Sequence, residues 1–425
     1  MKILLLGAGG REHALAWKIS QSSILDELFI APGNAGTRQF GKNVSLSPID
    51  FDGIKQFVLE NNIDMIVVGP EEPLVLGIYD YFQEDSSIRH CAIIGPSKEG
   101  AKLEGSKNYA KEFMARHRIP TAKYATFTAS TLAEGINYLR GMKAPYVLKA
   151  DGLAAGKGVL IVEDLESAEK ELRSMLENER FGEASKKVVI EQFLDGIELS
   201  VFVMTDGESF KLLPEAKDYK RIFEGNQGEN TGGMGAVSPV PFADAAFMDK
   251  VHNQIIVPTV KGLISERIEY KGFIFFGLIN VKGDPYVIEY NCRMGDPETE
   301  VVIPRLKSDI LDLFEGIASN TLSERDIQFI DKSTATVMMV SGGYPNEYEK
   351  GLPIYGINNV VDSIVFHAGT SSDGPQVLTN GGRVLSITSY GKNIEAAVEK
   401  CYDSISKISY EKAYYRKDIG RDLIK

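Results

Sequence analysis

The chain has 425 residues, enough for two to four domains at about 100–200 residues each. Hydrophobic residues make up 43% and charged residues 25%, an ordinary globular composition, and the net charge of −12 repels phosphate backbones and argues against a nucleic-acid partner. No apolar run approaches the ~18 residues of a membrane span, and Ile3–Leu6, interrupted by Arg11-Glu12-His13, is too brief for a signal peptide. Cys91, Cys292 and Cys401 are far apart and form no CxxC, and the five histidines are scattered. That pattern fits a reducing compartment and argues against a cysteine or multi-histidine metal site. The expectation is a cytoplasmic protein that handles small molecules, without membrane or nucleic-acid partners.

In chain order, the sequence predicts a strand over 2–6, the glycine turn Gly7-Ala8-Gly9-Gly10 and a helix over 12–20. Apolar runs at 28–30, 65–68 and 91–94 follow, with a helix over 51–60 between them. Strands alternating with helices indicate a parallel, doubly wound sheet that ends near Gly100. A helix rich in Lys and Glu over 105–117 leads out and stops before Pro120. In the mixed stretch 120–190, β-rich runs at 146–149 and 159–162 flank a glycine-rich loop, ahead of a helix over 166–177 and a strand over 188–191. A strand over 198–205 ends at Gly207. Residues 217–238 predict a long loop, 244–267 a long helix, 273–291 a hairpin turning at Lys282-Gly283-Asp284, and 297–319 a helix broken at Pro304. The last hundred residues predict a β-rich domain with a late helix over 393–406.

Gly7-x-Gly9 after a strand suggests a dinucleotide fingerprint, with two features wrong. Glu12 stands at the third glycine position, and the second strand runs into Ala31-Pro32-Gly33-Asn34 with no acid for a ribose. An NAD site is therefore disfavoured. A phosphate could rest on the free N–H groups at the helix start, and a tight packing turn explains the motif equally well. Asp151-Gly-Leu-Ala-Ala-Gly-Lys-Gly158 fails as a P-loop, because its spacing is one residue short and Gly158 replaces the hydroxyl residue. It reads as a glycine flap between strands, able to fold over a triphosphate that Lys149 also reaches. A mobile hairpin with solvated lysines is the plainer alternative. In Val287-Ile-Glu-Tyr-Asn-Cys-Arg-Met-Gly-Asp-Pro-Glu-Thr299, Glu289 and Asn291 are two apart and share a strand face, a hard-oxygen pair suited to Mg²⁺. Arg293 joins that face if the strand continues, where it would clamp a phosphoryl group. Asp296 reads as the cap of a helix with Pro297 first and Glu298 in its first turn; for both acids, capping and function stand side by side.

Together these segments resemble the ATP-grasp superfamily and, within it, the phosphoribosylamine–glycine ligase family. The residues carrying the resemblance are Gly7-Ala-Gly-Gly-Arg-Glu-His13, Pro32-Gly-Asn34, Leu148–Gly158, Asn230-Thr-Gly-Gly-Met-Gly235, Glu289–Thr299, His367-Ala-Gly-Thr370, Asn380-Gly-Gly-Arg383 and Arg416-Lys-Asp-Ile-Gly420. They run along the whole chain.

The resemblance implies an α/β fold with an N-terminal substrate domain (1–102), a linking helix (103–119), an ATP-grasp lid (120–190), a central ATP-grasp domain (191–327) and a C-terminal β-rich domain (328–425). It implies ATP held by Lys107, Lys149 and the flap residues Gly156, Lys157 and Gly158. Glu191 and Leu194 would bound the adenine segment, and Glu198 would hold the ribose. Glu289 and Asn291 would be the metal ligands, for Mg²⁺ or Mn²⁺. Gly10, Glu12 and Asn34 would line the phosphoribosylamine pocket. Thr231, Gly232, Gly233, Met234 and Gly235, with Asp296 and Glu298, would bind substrate near the reacting centre, and Asp218, Lys220 and Arg293 would be catalytic. The implied reaction joins glycine to 5-phosphoribosylamine through an acyl phosphate, with ADP and phosphate as products, in a monomer. The competing readings are an ATP-grasp ligase with another amine acceptor, a nucleotide-dependent oxidoreductase and a non-catalytic ATP-binding regulator. The strand over 273–280 lacks the second acid that many ATP-grasp enzymes carry, which leaves the ligand set open.

Overall fold

The computed structural model describes residues 1–154, 158–178 and 180–424. Five strands open the chain: β1 (Lys2–Gly7), β2 (Glu27–Pro32), β3 (Lys42–Asn43), β4 (Met65–Val68) and β5 (Ala92–Ile94). They pair in parallel in the order β3-β2-β1-β4-β5. Their apolar runs are continuous because helices cover both faces, and Ile3–Leu6 are fully buried. The order reverses at β1, so the crevice beyond its carboxyl end, where Gly7 turns into the helix Gly10–Ile19, is the place where such sheets bind ligands.

The helix expected over 105–117 is Lys107–Arg116, and a further helix, Lys98–Gly105, precedes it. Ser106 between them is extended, and its hydroxyl accepts the Tyr109 N–H at 3.1 Å. A serine that caps the next turn cannot also continue the previous one.

The lid is an antiparallel sheet of β6 (Tyr124–Thr128), β7 (Tyr146–Ala150), β8 (Val159–Val162) and β9 (Lys187–Gln192), in the order β6-β9-β7-β8. The helices Leu132–Arg140 and Leu165–Glu177 pack on it. Its apolar core draws on residues 125–190 alone, as expected of a unit that folds and moves as one piece.

Next come β10 (Ile197–Thr205), β11 (Phe210–Leu212), β12 (Lys217–Asp218), β13 (Arg221–Phe223), β14 (Gln227–Asn230), β15 (Gly235–Ser238), β16 (Gly272–Val281) and β17 (Asp284–Asn291). The central sheet is β11-β10-β16-β17, and the predicted hairpin is β16–β17. The predicted long helix is present over Ala245–Ser265, with a π turn at His252–Ile256 just before Pro258, which has no N–H to give. One apolar cluster joins this sheet to the N-terminal one, from Leu4 to Tyr290.

Strands β18 (Ser333–Val340), β19 (Ile364–His367), β20 (Thr370–Asp373), β21 (Gln376–Thr379) and β22 (Arg383–Gly391) follow, and the helix Ile394–Ile405 covers β18 and β22. The expected loop over 217–238 is largely strand. Its β12 and β15 extend the C-terminal sheet, in the order β12-β15-β18-β22-β19. The division expected at 327/328 is thus crossed: the segment that carries Asp218 and Thr231–Gly235 is held by the C-terminal sheet.

Candidate active site

The lid and the central sheet meet over a group of buried cations. Lys107 and Lys111 are one turn apart on the helix Lys107–Arg116, so they share a face. Lys107 Nζ donates to Gly152 O at 3.3 Å, tying the helix to the root of the glycine flap. Lys149, at the end of β7, lies 3.0 Å from Glu191 Oε1, and Lys111 Nζ lies 2.9 Å from Glu191 Oε2. Lys149 also donates to Ile288 O at 3.3 Å. That carbonyl is free because Leu278 pairs with Val287 and Gly277 with Glu289, which leaves Ile288 as a bulge. Burial pushes Lys107 down and Lys111 to about 8. Burial also acts on Glu191, but Lys149 and Lys111 outweigh it and hold the carboxyl below its ordinary range.

Glu191 stands within the ladder, opposite Tyr124 and Val147, and what it offers here is its side chain. Phe193 and Leu194 lie past the end of β9. Gly158 stands where β8 begins, with no room for a Cβ beside Ala154. Gly156 and Lys157 lie outside the described residues.

Across β10, β16 and β17, Ser200, Gly277 and Glu289 form one row. The bare Gly277 leaves space against the Glu289 side chain. Glu289 and Asn291 make no side-chain hydrogen bond or ion pair with a described residue, while the acids around them are engaged. Glu198 pairs with Lys220 at 2.7 Å at the half-open rim. Glu298 accepts the Ser200 hydroxyl at 3.1 Å. Burial, then Asp218, pushes Glu298 up to about 7, and burial raises Asp218 as well. Lys220 stays well above its ordinary value despite burial, because Asp218, Glu198 and Glu289 surround it. Among the described residues no group of three or more His, Cys, Asp or Glu is arranged to hold a metal. Two uncommitted hard-oxygen donors on one strand face nevertheless fit a divalent cation that keeps waters and phosphate oxygens.

The third part lies at the carboxyl end of β1. Glu12 is buried, accepts the Gly9 N–H at 2.6 Å and the Arg11 Nε at 2.8 Å, and fills space that a Cβ at Gly7 or Gly69 would take. Its place in the fingerprint is therefore positive: a carboxylate replaces the third glycine because it closes the turn. Asn34 is likewise committed, donating to Ala8 O and His367 O, both at 2.8 Å, and accepting from Gly36 and Thr37. Both side chains are spent on fixing the turn and the loop at the carboxyl end of β1. Gly10 lies directly against the Glu300 carboxyl.

Asp296 is not the cap of the helix that follows it. That helix begins at Thr299, and the Asp296 carboxylate turns to the Arg11 N–H at 3.1 Å and to Arg383 Nη2 at 3.0 Å. Arg383 also donates to Gly232 O at 2.6 Å. The Thr231 hydroxyl bridges Lys220 O and the Gly233 N–H, Gly233 has φ +117 against Pro297, and Met234 and Gly235 are buried. Arg293 does not extend the Glu289 face, because β17 ends at Asn291. Its guanidinium turns to Glu104 at 2.7 Å and Glu71 at 3.3 Å.

Sequence reasoning passed over Lys111, Glu71, Glu104, Arg11, Arg383 and Glu300 as site components. The four-residue spacing from Lys107 was a usable signal for Lys111. Glu71 and Glu104 had none, since only the fold brings them to Arg293.

A small antiparallel lid facing a larger antiparallel sheet across paired lysines is the arrangement of an ATP-grasp enzyme. The fold agrees with the solved biotin carboxylase domain of the Hydrogenobacter thermophilus 2-oxoglutarate carboxylase (TM-score 0.73, 17% identity, covering 97% of this chain and 91% of that one). Within that class, the chain belongs to the phosphoribosylamine–glycine ligase family. The phosphoribosylglycinamide synthetase N domain matches residues 1–104, the ATP-grasp (A) domain 105–299 and the C domain 334–422. The Clostridium acetobutylicum phosphoribosylamine–glycine ligase is 43% identical over 99% of this chain and 100% of its own length. The Pseudomonas aeruginosa enzyme is 44% identical over 99% and 97%. The crystal structure of the Thermotoga maritima enzyme superposes with a TM-score of 0.85 at 34% identity, covering 98% of this chain and 100% of that one.

Proposed function

We propose that this chain joins glycine to 5-phosphoribosylamine with ATP as phosphoryl donor, giving glycinamide ribonucleotide, ADP and phosphate in purine biosynthesis. The observation that carries the site assignment is the meeting of two features. Lys107, tied to Gly152 at the root of the glycine flap, and Lys149 lie between lid and central sheet, where Glu289 and Asn291 offer uncommitted oxygens. Gly10, Glu12, Asn34, Asp296 and Thr231–Gly235, linked to one another at the carboxyl end of β1, are assigned to the phosphoribosylamine side in this reading.

A carboxylate and an amine do not condense unaided in water. In our reading a glycine carboxylate oxygen attacks the γ-phosphorus of ATP and ADP departs. The phosphoribosylamine nitrogen then attacks the carbonyl carbon of glycyl phosphate, phosphate leaves, and the nitrogen gives up a proton. Glu298, titrating near neutrality beside Asp218, is matched to accept that proton. Lys107 and Lys149 hold the phosphates, Lys220 balances the acids, and Arg293 acts as a fixed charge behind the transfer site. Glu198 meets the ribose and Leu194 the adenine. Glu289 and Asn291 would hold Mg²⁺, or Mn²⁺, which when bound offsets the charge developing on the phosphates. The chain is taken to act as a cytoplasmic monomer. The test is ATP consumption with glycine and freshly made phosphoribosylamine, each omitted in turn; both must be required.

A further inference from the structure

Lys111 is the most deeply buried lysine among the described residues, at 2% exposure. Its ammonium is fixed between Glu191 Oε2 at 2.9 Å and the Thr121 hydroxyl at 2.7 Å. Thr121 in turn donates to Val287 O at 2.7 Å, and the Val287 N–H donates to Pro120 O at 2.8 Å. On the other side of the same carboxylate, Lys149 bridges Glu191 Oε1 and Ile288 O. Two buried lysines thus grip the two oxygens of one buried carboxylate, and each reaches a carbonyl of two successive residues of β17, one directly and one through Thr121.

The charges explain why both lysines are needed. A single lysine on Glu191 would form a neutral pair, with the ammonium drawn to both oxygens and its attraction for anions cancelled. With Lys111 occupying Oε2, the group Lys111–Glu191–Lys149 carries one net positive charge. Lys149 is left with Oε1 and the Ile288 carbonyl of β17 as its contacts. Burial strengthens these contacts, because the low local dielectric screens them less than water would.

We propose that Lys111 is a positioning residue for nucleotide binding: by holding Glu191 from behind, it fixes Lys149 where the phosphates of ATP arrive and leaves the pair a net positive charge. The proposal rests on the assignment of the Lys149 cleft to ATP and assigns Lys111 no contact with the nucleotide.

The experiment measures ATP affinity by calorimetry, together with KM for ATP, KM for glycine, kcat and thermal midpoint, in Lys111→Met, Lys111→Arg, Thr121→Val and Lys149→Ala. In Lys111→Met, KM and Kd for ATP rise on the order of tenfold, the scale of one buried charge-assisted hydrogen bond, while KM for glycine stays within about twofold. Lys111→Arg restores most of the ATP affinity, because charge and reach are kept. A purely structural lysine would lower the thermal midpoint and leave the ratio of the two KM values unchanged; that result overturns the proposal. If Lys111→Met does not fold, Thr121→Val decides. It frees Lys111 from β17 at nearly constant volume and raises KM for ATP several-fold, and an unchanged value overturns the proposal. Lys149→Ala separates the two levels of inference. If it binds ATP as the wild type does, the ATP assignment of the cleft fails. If it binds weakly while Lys111→Met binds normally, the cleft assignment stands and the role of Lys111 is wrong.

Discussion

The carboxylate of Asp296 accepts the backbone N–H of Arg11 across 285 residues of sequence, and so caps the first helix of the N-terminal domain from the segment that follows β17. Its other oxygen lies 3.0 Å from Arg383, which donates in turn to Gly232 O. One carboxylate thereby ties the first helix, the loop over 231–235 and the C-terminal sheet around the pocket. Asp296→Ala leaves a largely buried guanidinium unpaired and an N-terminal N–H unmet. We expect a loss of about 3 kcal/mol, read as a lowered denaturation midpoint. Asp296→Asn keeps an acceptor for Arg11 and should lose clearly less; equal losses would show that the cap contributes nothing.

Lys149→Ala should weaken ATP binding on the order of tenfold or more and leave the fold intact. The fold survives because Lys111 still satisfies Glu191. Calorimetry on the variant and the parent checks this, and equal affinities would remove Lys149 from the nucleotide site.

Glu289→Gln should abolish turnover at a stability cost well below the roughly 2–5 kcal/mol of a core Leu or Ile truncation. The carboxylate has no partner among the described residues, so its loss orphans nothing. Near-normal activity in Mg²⁺ would refute the metal assignment.

These residues show how far the sequence could be read. Glu289 and Asn291 were legible because strand geometry alone places residues two apart on one face. The parallel sheet was legible from runs such as Ile3–Leu6 and Met65–Val68, which only double coverage explains. For Asp296 the sequence leaves capping and function side by side, because Asp-Pro-Glu is also a helix-start signal; what decides against the cap, Arg11 and Arg383, is remote in sequence. Arg293 was misplaced by extending β17 two residues past its end. The extra helix Lys98–Gly105 and the strands inside 217–238 are short elements set by caps and by pairing with β18, and local propensity carries little of either signal.

Stability should depend on pH through Glu298. Its carboxyl titrates at about 7 in the folded chain, above the ordinary 4.5. Between those values the unfolded chain has released the proton that the folded chain retains, so the contribution is whole below about 4.5 and is lost as pH rises through about 7. Asp218, also raised, titrates with it. Thermal midpoints from pH 5 to 8 should fall more steeply for the wild type than for Glu298→Gln. Parallel curves would show that Glu298 is ionised throughout. The same variant should lower kcat, since it cannot accept the amine proton.

The nucleotide products should be ADP and phosphate, not AMP and pyrophosphate. The reason is where charge lies along the cleft. Lys107, tied to the root of the glycine flap, Lys149 and the Glu289–Asn291 pair are the groups proposed to meet the phosphates, and Leu194 and Glu198 those proposed to meet the nucleoside. A triphosphate laid between them presents its γ-phosphoryl group to the lysines and the oxygen pair. An enzyme that adenylates a carboxylate must instead concentrate charge on the α-phosphate and stabilise a departing pyrophosphate. The turn Gly7–Gly10 is closed by Glu12, whose carboxylate accepts the Gly9 N–H, and is assigned in our reading to the phosphoribosyl substrate. The acyl phosphate formed from glycine needs an acceptor, so full turnover should require glycine and phosphoribosylamine together. Chromatography of labelled nucleotide after complete reaction makes the measurement. Accumulation of AMP, or full-rate ATP consumption without glycine, would reject γ-phosphoryl transfer and the ligase mechanism with it.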